Sequence, residues 1–191
     1  MTDDAAKDRE SWLVLRAQTG DAEAFDALLK SVQEPLYRYV SSLVRNAASA
    51  EDILQEVFLR VYRKLAYLRE PVVFRPWAYR IASREAFRHL RRERRWADQL
   101  RDDAALKTIP QPPAREEFAP EAVERLPEMI AALSPASRAV VVLYYLDEMS
   151  LGEVAAVLEI PLGTVKSRLA YGLAALRAQL SSDDRQIGGT R

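Results

Sequence analysis

Ser150-Leu-Gly-Glu-Val-Ala-Ala-Val-Leu-Glu-Ile-Pro-Leu-Gly-Thr-Val-Lys-Ser-Arg-Leu169 carries the pattern that decides the fold. Ser150 and Glu153 form a full capping box, a hydroxyl three residues ahead of a carboxylate. It opens a short helix with Val154, Ala155 and Leu158 turned inward. Glu159 to Gly163 reads as a tight turn around Pro161, and a second helix runs from Thr164 to Leu180 with Val165, Leu169, Leu173 and Leu176 on one side. Upstream, Ser134 and Pro135 supply an N-cap and a first-turn proline for a longer helix reaching Met149. The run Val140-Val141-Val142 could argue for a strand, but the start signals and the length of the segment decide for helix. Two short helices joined by a tight turn after a longer one make a helix-turn-helix layout.

Outward from this block, prolines mark a boundary. Six of the ten lie between Pro110 and Pro135. Pro110, Pro112 and Pro113 stand among acids, and such a segment is a semi-extended, solvated linker. The block before it is helical too. Trp12 to Gln18 is followed by a break at Gly20-Asp21 and a helix from Ala22 to Ser31. Pro35 suits the first residue of another helix that ends near Arg45. Ser49-Ala-Glu-Asp52 has the form of a capping box and opens a helix with Ile53, Leu54, Val57, Phe58, Val61, Tyr62 and Leu65 as its apolar stripe. Pro71 and Pro76 bracket a loop, and a further helix runs from Trp77 to about Trp96. The expectation is an all-α chain of two small helical domains joined by a proline-rich acidic linker. The domains span residues 8–97 and 121–181, the linker 98–120 and a frayed tail 182–191.

Composition limits what such a chain can do. Among the 191 residues, 28 Lys and Arg balance 28 Asp and Glu. There is no Cys, so disulfides and thiolate metal sites are excluded, and the one His, His89, is the residue around which any His-based metal cluster or Ser-His-Asp triad would have to be built. The longest apolar run, Ala139 to Leu146, is far short of the ~20 residues that cross a bilayer. The acidic Met-Thr-Asp-Asp start lacks the layout of a signal peptide, so a cytoplasmic protein without membrane insertion is expected. Neither a cofactor nor catalysis is expected, since Glu51 and Asp52 are adjacent acids with no His nearby in sequence and no glycine-rich phosphate loop.

The even balance hides a segregation. Arg69 to Arg101 holds ten Arg against Glu70, Glu85, Glu93 and Asp98, a balance of +6, while Asp102 to Leu133 holds seven acids against three bases, a balance of −4. On a helical projection Arg80, Arg84, Arg88, Arg91, Arg92 and Arg95 fill about a third of the circumference, opposite Ala78, Ala82, Ala86 and Leu90. Like charges at this spacing weaken a helix, and Glu85 and Glu93 offset only part of the repulsion. A phosphate backbone is the polyanion such a row fits. Trp77, Tyr79 and Phe87 beside it could stack on unpaired bases, although Trp77 and Phe87 suit a core as well. A second surface is the polar arc of Asp52, Gln55, Glu56, Leu59, Arg60 and Arg63, an apolar centre in a charged ring, as protein-binding patches are built. A third is the start of the last helix, where Thr164, Lys166, Ser167, Arg168 and Tyr171 read as exposed and placed for a major groove.

With these features in place the sequence resembles the bacterial RNA polymerase sigma factors of the extracytoplasmic-function group. The resemblance covers about Glu10 to Leu180. It rests on Gly-Asp-Ala-Glu-Ala-Phe (20–25), Ala-Glu-Asp-Ile-Leu-Gln-Glu-Val-Phe (50–58), Phe-Arg-Pro-Trp-Ala-Tyr-Arg-Ile-Ala (74–82), the arginine run 91–95, Leu-Ser-Pro (133–135), Ser-Leu-Gly-Glu-Val-Ala (150–155) and Ile-Pro-Leu-Gly-Thr-Val-Lys-Ser-Arg-Leu (160–169). It implies that the face of Asp52, Gln55, Glu56, Leu59 and Arg63 docks on core RNA polymerase. It also implies that the loop Leu65 to Phe74, with Arg69 and the arginine helix, reads the −10 promoter element with a base held unpaired. Lys166, Ser167 and Arg168, with Thr164 and Tyr171 beside them, would read the −35 element, and an anti-sigma factor would cover these surfaces. Arg84 stands where the family commonly has Asn, which implies a different −10 preference. Tyr171-Gly172-Leu173 replaces further basic residues, so the −35 grip rests on fewer phosphates. A different class, a sigma-mimicking protein that sequesters an anti-sigma factor without binding DNA, would need the docking face but not the arginine row or Lys166-Ser167-Arg168.

Overall fold

The structure, a computed structural model of the chain, describes residues 2–93 and 120–187, with side chains for 5–93 and 126–180. All regular structure in these residues is helical. Two compact units are formed, chiefly by the helices before residue 91 in one case and by the later helices in the other. Of the expected linker, 98–120, all but Pro120 lies outside the described residues, as do Arg94, Arg95, Trp96 and Ala97.

In the first unit, α1 (Thr2–Gln18), α2 (Ala22–Val44) and α3 (Ala47–Lys64) pack in sequence, α1 on α2 and α2 on α3. Two 3-10 turns, Leu65–Tyr67 and Pro71–Val73, lead into α4 (Phe74–Arg92). The break between α1 and α2 is where the sequence puts it. Gly20 has φ +93°, a left-handed conformation that favours glycine, and Asp21 caps α2 by accepting the Ala24 N–H at 3.0 Å. That backbone bond, with the Arg16 guanidinium whose Nε lies 2.7 Å from Oδ2, holds the Asp21 carboxyl below the usual carboxylate range.

Three expectations are corrected here. The helix expected to stop at Ser31 and restart at Pro35 is continuous from Ala22 to Val44. Pro35 forfeits one backbone bond, but Leu28, Val32, Leu36, Tyr39, Val40 and Leu43 form an unbroken buried stripe across it, and that burial outweighs the loss. The capping box at Ser49 is not the start of α3. Asn46 is the N-cap, accepting the Ser49 N–H at 2.9 Å, so Ser49 lies in the first turn. Finally, α4 starts at Phe74 rather than Trp77, with Pro76 in its first turn, where a missing N–H costs nothing. Its inner side is as expected, with Ala78, Ala82, Ala86 and Leu90 buried.

The second unit contains α5 (Pro120–Ala131), α6 (Pro135–Val141, extended by a π turn over Val142–Leu146), α7 (Leu151–Leu158) and α8 (Leu162–Ile187). The sequence reading missed α5, because Pro120, Pro127 and the acids around them resemble linker; its apolar end, Met129 and Ile130, is buried. Ser134 caps α6 as expected, and the capping box of α7 closes in both directions. Glu153 Oε2 accepts the Ser150 N–H at 2.8 Å, and Ser150 Oγ accepts the Glu153 N–H at 3.2 Å. The helix expected to reach Met149 ends at Leu146, where Glu148 turns left-handed with φ +56° and the Met149 N–H bonds back to the Leu143 carbonyl. The last helix starts at Leu162, two residues early, because the Pro161 carbonyl accepts the N–H of Thr164 at 2.9 Å. It continues to Ile187, past the expected end at Leu180, with no glycine or proline between Leu180 and Gly188 to stop it.

Two residues fix this unit. Arg138 is buried, and its guanidinium donates to the carbonyls of Ile130 (3.1 Å), Ala131 (2.6 Å) and Leu133 (2.6 Å), at and just beyond the end of α5. Gly172 brings α8 against α6 so closely that a Cβ would stand 2.8 Å from Val141 Cγ2. Alanine would gain about 1 kcal/mol of helix propensity but overpack a branched, buried neighbour at a cost of about 1–3 kcal/mol. Gly172→Ala is therefore expected to lower the urea midpoint of this unit, and Gly172→Leu to abolish its cooperative transition. A more stable alanine variant would show that the helices part without cost.

Candidate nucleic-acid interface

The described site residues fall on three surfaces, two of them in the first unit. On α3, Asp52, Gln55, Leu59 and Arg63 are exposed, Leu59 by 50%, so the apolar centre in a charged ring exists. Glu56 is only half-buried and is engaged, its Oε1 accepting from Arg60 Nε at 2.8 Å. Tyr62, expected in the buried stripe, is 68% exposed and packs edge-on against the Phe25 ring, with centroids 5.3 Å apart. The stripe is narrower than the sequence suggests because Ile53, Leu54, Val57, Val61 and Leu65 already fill the interior.

The arginine face of α4 separates into two classes. Arg84, Arg91 and Arg92 are exposed, whereas Arg80 and Arg88 are half-buried, and Arg88 is ion-paired to the buried Glu85. Arg95 lies outside the described residues. Tyr79 is no base-stacking candidate. It is fully buried against Tyr39 with ring centroids 5.4 Å apart, and its carbonyl accepts from Ser83 Oγ, which in turn meets Tyr39 Oη at 2.8 Å. Trp77 and Phe87 are half-buried, Trp77 with its ring 6.1 Å from that of Phe74.

Between α3 and α4 the loop presents Tyr67 (82% exposed), Arg69, Val72 and Val73 to solvent. Sequence reasoning placed Arg69 here but missed Tyr67; an aromatic residue beside a Leu-Arg-Glu-Pro turn was the available signal. Helix α1 holds both ends of this loop. Gln18 Nε2 donates to the Leu65 and Leu68 carbonyls at 2.9 and 2.7 Å, and Glu10 pairs with Arg75 at 3.2 Å. Both amide hydrogens of Gln18 are thereby committed to the 3-10 turn that follows α3, where the Leu65 carbonyl also accepts the Leu68 N–H at 3.0 Å. Gln18→Leu keeps the volume and removes both bonds. It is expected to leave the fold intact but raise amide exchange over residues 65–70 by roughly tenfold; unchanged exchange would show that the loop is held otherwise.

In the second unit, the residues expected to be exposed at the start of the last helix are half-buried. This holds for Thr164, Lys166, Ser167, Arg168 and Tyr171. Beginning α8 at Leu162 rotates the true N-terminal end onto Leu162 and Gly163, and Leu162 is 44% exposed. Ser167 Oγ donates to the Gly163 carbonyl at 3.0 Å, so its oxygen is left to accept. Arg168 Nε is shut away from solvent. Among the described residues no group of acids and histidines could hold a metal ion, and no helix is long and apolar enough to cross a membrane.

Comparison with known proteins matches these surfaces to two family models, Sigma-70 region 2 over residues 28–96 and Sigma-70, region 4 over residues 129–178. The first contains the α3 face, the loop and the arginine helix; the second contains α6, α7 and most of α8. The RNA polymerase sigma-H factor of Pseudomonas aeruginosa is 32% identical over 173 residues, covering 85% of this chain and 89% of that protein. The ECF RNA polymerase sigma factor SigW of Bacillus subtilis is 31% identical over 176 residues, covering 87% and 94%. In fold, the chain resembles the sigma factor RpoE of Bartonella quintana, solved with the anti-sigma factor NepR, with a TM-score of 0.64 at 21% identity over 85% of this chain and 99% of that one. With its two sigma-70 regions and its likeness to these relatives over 85% or more of its length, the chain belongs to the extracytoplasmic-function (ECF) group of RNA polymerase sigma factors.

Proposed function

We propose a division of labour among the surfaces of this sigma factor. The exposed Leu59, ringed by Asp52, Gln55, Glu56 and Arg63, docks on core RNA polymerase. The loop bearing Tyr67 and Arg69 takes up an unpaired base of the −10 element, while Arg80, Arg84, Arg88, Arg91 and Arg92, continued by Arg95, hold the phosphates around it. Stacking on an exposed aromatic offsets the few kcal/mol that unstacking a base costs. The start of α8 enters the major groove at the −35 element. There Lys166 supplies a charged donor, and Leu162 an apolar group suited to a thymine methyl. Thr164, Ser167, Arg168 and Tyr171 flank these contacts. Residues 8–97 and 121–181 form the two working domains, with 98–120 between them. The polymerase carries out phosphoryl transfer, in the cytoplasm where it resides, and this chain chooses the promoter.

The observation that carries this reading is the split of α4 into a buried alanine side and a guanidinium side, since a helix with no polyanion to meet gains nothing from repelling itself. Regulation by an anti-sigma factor is supported by the Bartonella quintana neighbour, which is solved with one. The test is run-off transcription with core polymerase on a randomised promoter library. Enrichment of two spaced elements, with Lys166→Ala relaxing the upstream one alone, is expected. A chain that binds an anti-sigma factor yet starts no RNA from any template would be a sigma mimic instead.

A further inference from the structure

We propose that Glu85 is a positioning residue that couples the α3 docking face to the α4 arginine face, so that a partner's cation on Glu56 frees Arg88 for a phosphate. The proposal rests on the roles given to Glu56 and Arg88 above. Glu85 is 7% exposed, and each of its oxygens meets a different guanidinium. Oε1 stands 3.1 Å from Arg60 Nε on α3, and Oε2 is ion-paired to Arg88 one turn along α4. Arg60 is contested, because the same Nε–H donates to Glu56 Oε1 at 2.8 Å on the outer face. One N–H cannot serve two carboxylates fully. The four side chains therefore form a row, Glu56–Arg60–Glu85–Arg88, reaching from a residue on the docking face to a residue on the arginine face.

A buried carboxylate needs its charge met, and Glu85 meets it by sharing Arg60 with Glu56 and holding Arg88 firmly. A basic group of the polymerase that takes Glu56 releases Arg60 to Glu85. Glu85 then relies less on Arg88, whose side chain is already 40% exposed and free to swing outward. Docking and DNA binding thereby favour one another, and the linkage is reciprocal. No group other than these four is needed.

Glu56→Gln imitates the docked state by removing the competitor for Arg60. Affinity of the full chain is measured for a short fluorescein-labelled single-stranded oligonucleotide at low salt by anisotropy. Glu56→Gln is expected to tighten binding about fivefold. Asp52→Asn, which removes the same charge from the same helix, is expected to do much less. Arg88→Gln is expected to weaken binding and to cancel the gain from Glu56→Gln when the two are combined. Glu85→Gln should cancel it as well, with a thermal melt run alongside; the Glu56 and Arg88 comparison needs no change at Glu85. Equal gains from Asp52→Asn and Glu56→Gln, or a gain that survives Arg88→Gln, would overturn the coupling. If Arg88→Gln leaves binding untouched, the assignment of Arg88 to DNA falls and the coupling with it. If it weakens binding but Glu56→Gln adds nothing, the coupling alone falls.

Discussion

Replacing Arg91 and Arg92 together by glutamate is expected to weaken the promoter complex of the holoenzyme by on the order of 100-fold near 0.1 M salt, without loss of fold or of polymerase binding. Both side chains are exposed at the end of α4, beyond the buried Leu90, so the core does not register the change. Their proposed contribution to DNA binding is the release of counterions from the phosphates they would neutralise, and each such contact adds about 0.9 to the slope of log affinity against log salt. Removing two is expected to flatten that slope by about 2, and the introduced carboxylates add repulsion. The pattern is diagnostic because a residue reading a base would change which promoters are chosen, whereas these should weaken all promoters alike. Footprinting across a salt series checks it; an unchanged slope would remove this end of α4 from the DNA. The inner arginines are a different case, since Arg88 is held by Glu85 and reversing it would place two carboxylates together in a half-buried site.

How much of this was legible from residues alone follows from the kind of signal each feature carries. Local chemistry was read well. The capping box at Ser150 and Glu153, the Gly20-Asp21 break, the alanine side of α4 and the exposure of Leu59 all depend on neighbours a few positions away. The errors lie where tertiary burial, or a competing cap a few residues away, overrides a local rule. Pro35 signals a helix start, but a buried stripe runs through it. Ser49 signals a cap, but Asn46 already holds that place. The site was legible as surfaces and less so as contacts. Tyr79 lies in a stretch rich in arginine and aromatics, yet its ring belongs to the core beside Tyr39, while Tyr67 was passed over in a loop. Glu85 counted only as a partial offset to the arginines, since nothing in one helix reveals that Arg60 approaches it from another.

Arg138 belongs to the same class of hidden feature, and its loss is expected to have the largest effect on stability. It looks like an ordinary base in an apolar stretch, but its buried guanidinium closes the end of α5 through three carbonyls. Hydrogen bonds from a charged donor contribute about 1.5–3 kcal/mol each, and acceptors left dry are costly. Arg138→Met retains the volume of the stem but supplies no donors, and a loss of about 4 kcal/mol or more is expected. A helical unit of this size has little more than that to lose. The variant should melt in two steps, with the Tyr39–Tyr79 core of the first unit keeping its transition and α5 to α8 unfolding early. Arg138→Lys should fall between, because an ammonium on a shorter reach cannot span carbonyls that a planar fork meets together. Circular dichroism melts with limited proteolysis distinguish the cases. In transcription, Arg138→Met should abolish dependence on the upstream element before it touches polymerase docking, because the second unit holds the end of α8 proposed to enter the groove and the first holds Leu59, proposed to dock. A single transition at the native temperature would show that solvent or neighbouring groups can satisfy those carbonyls without it.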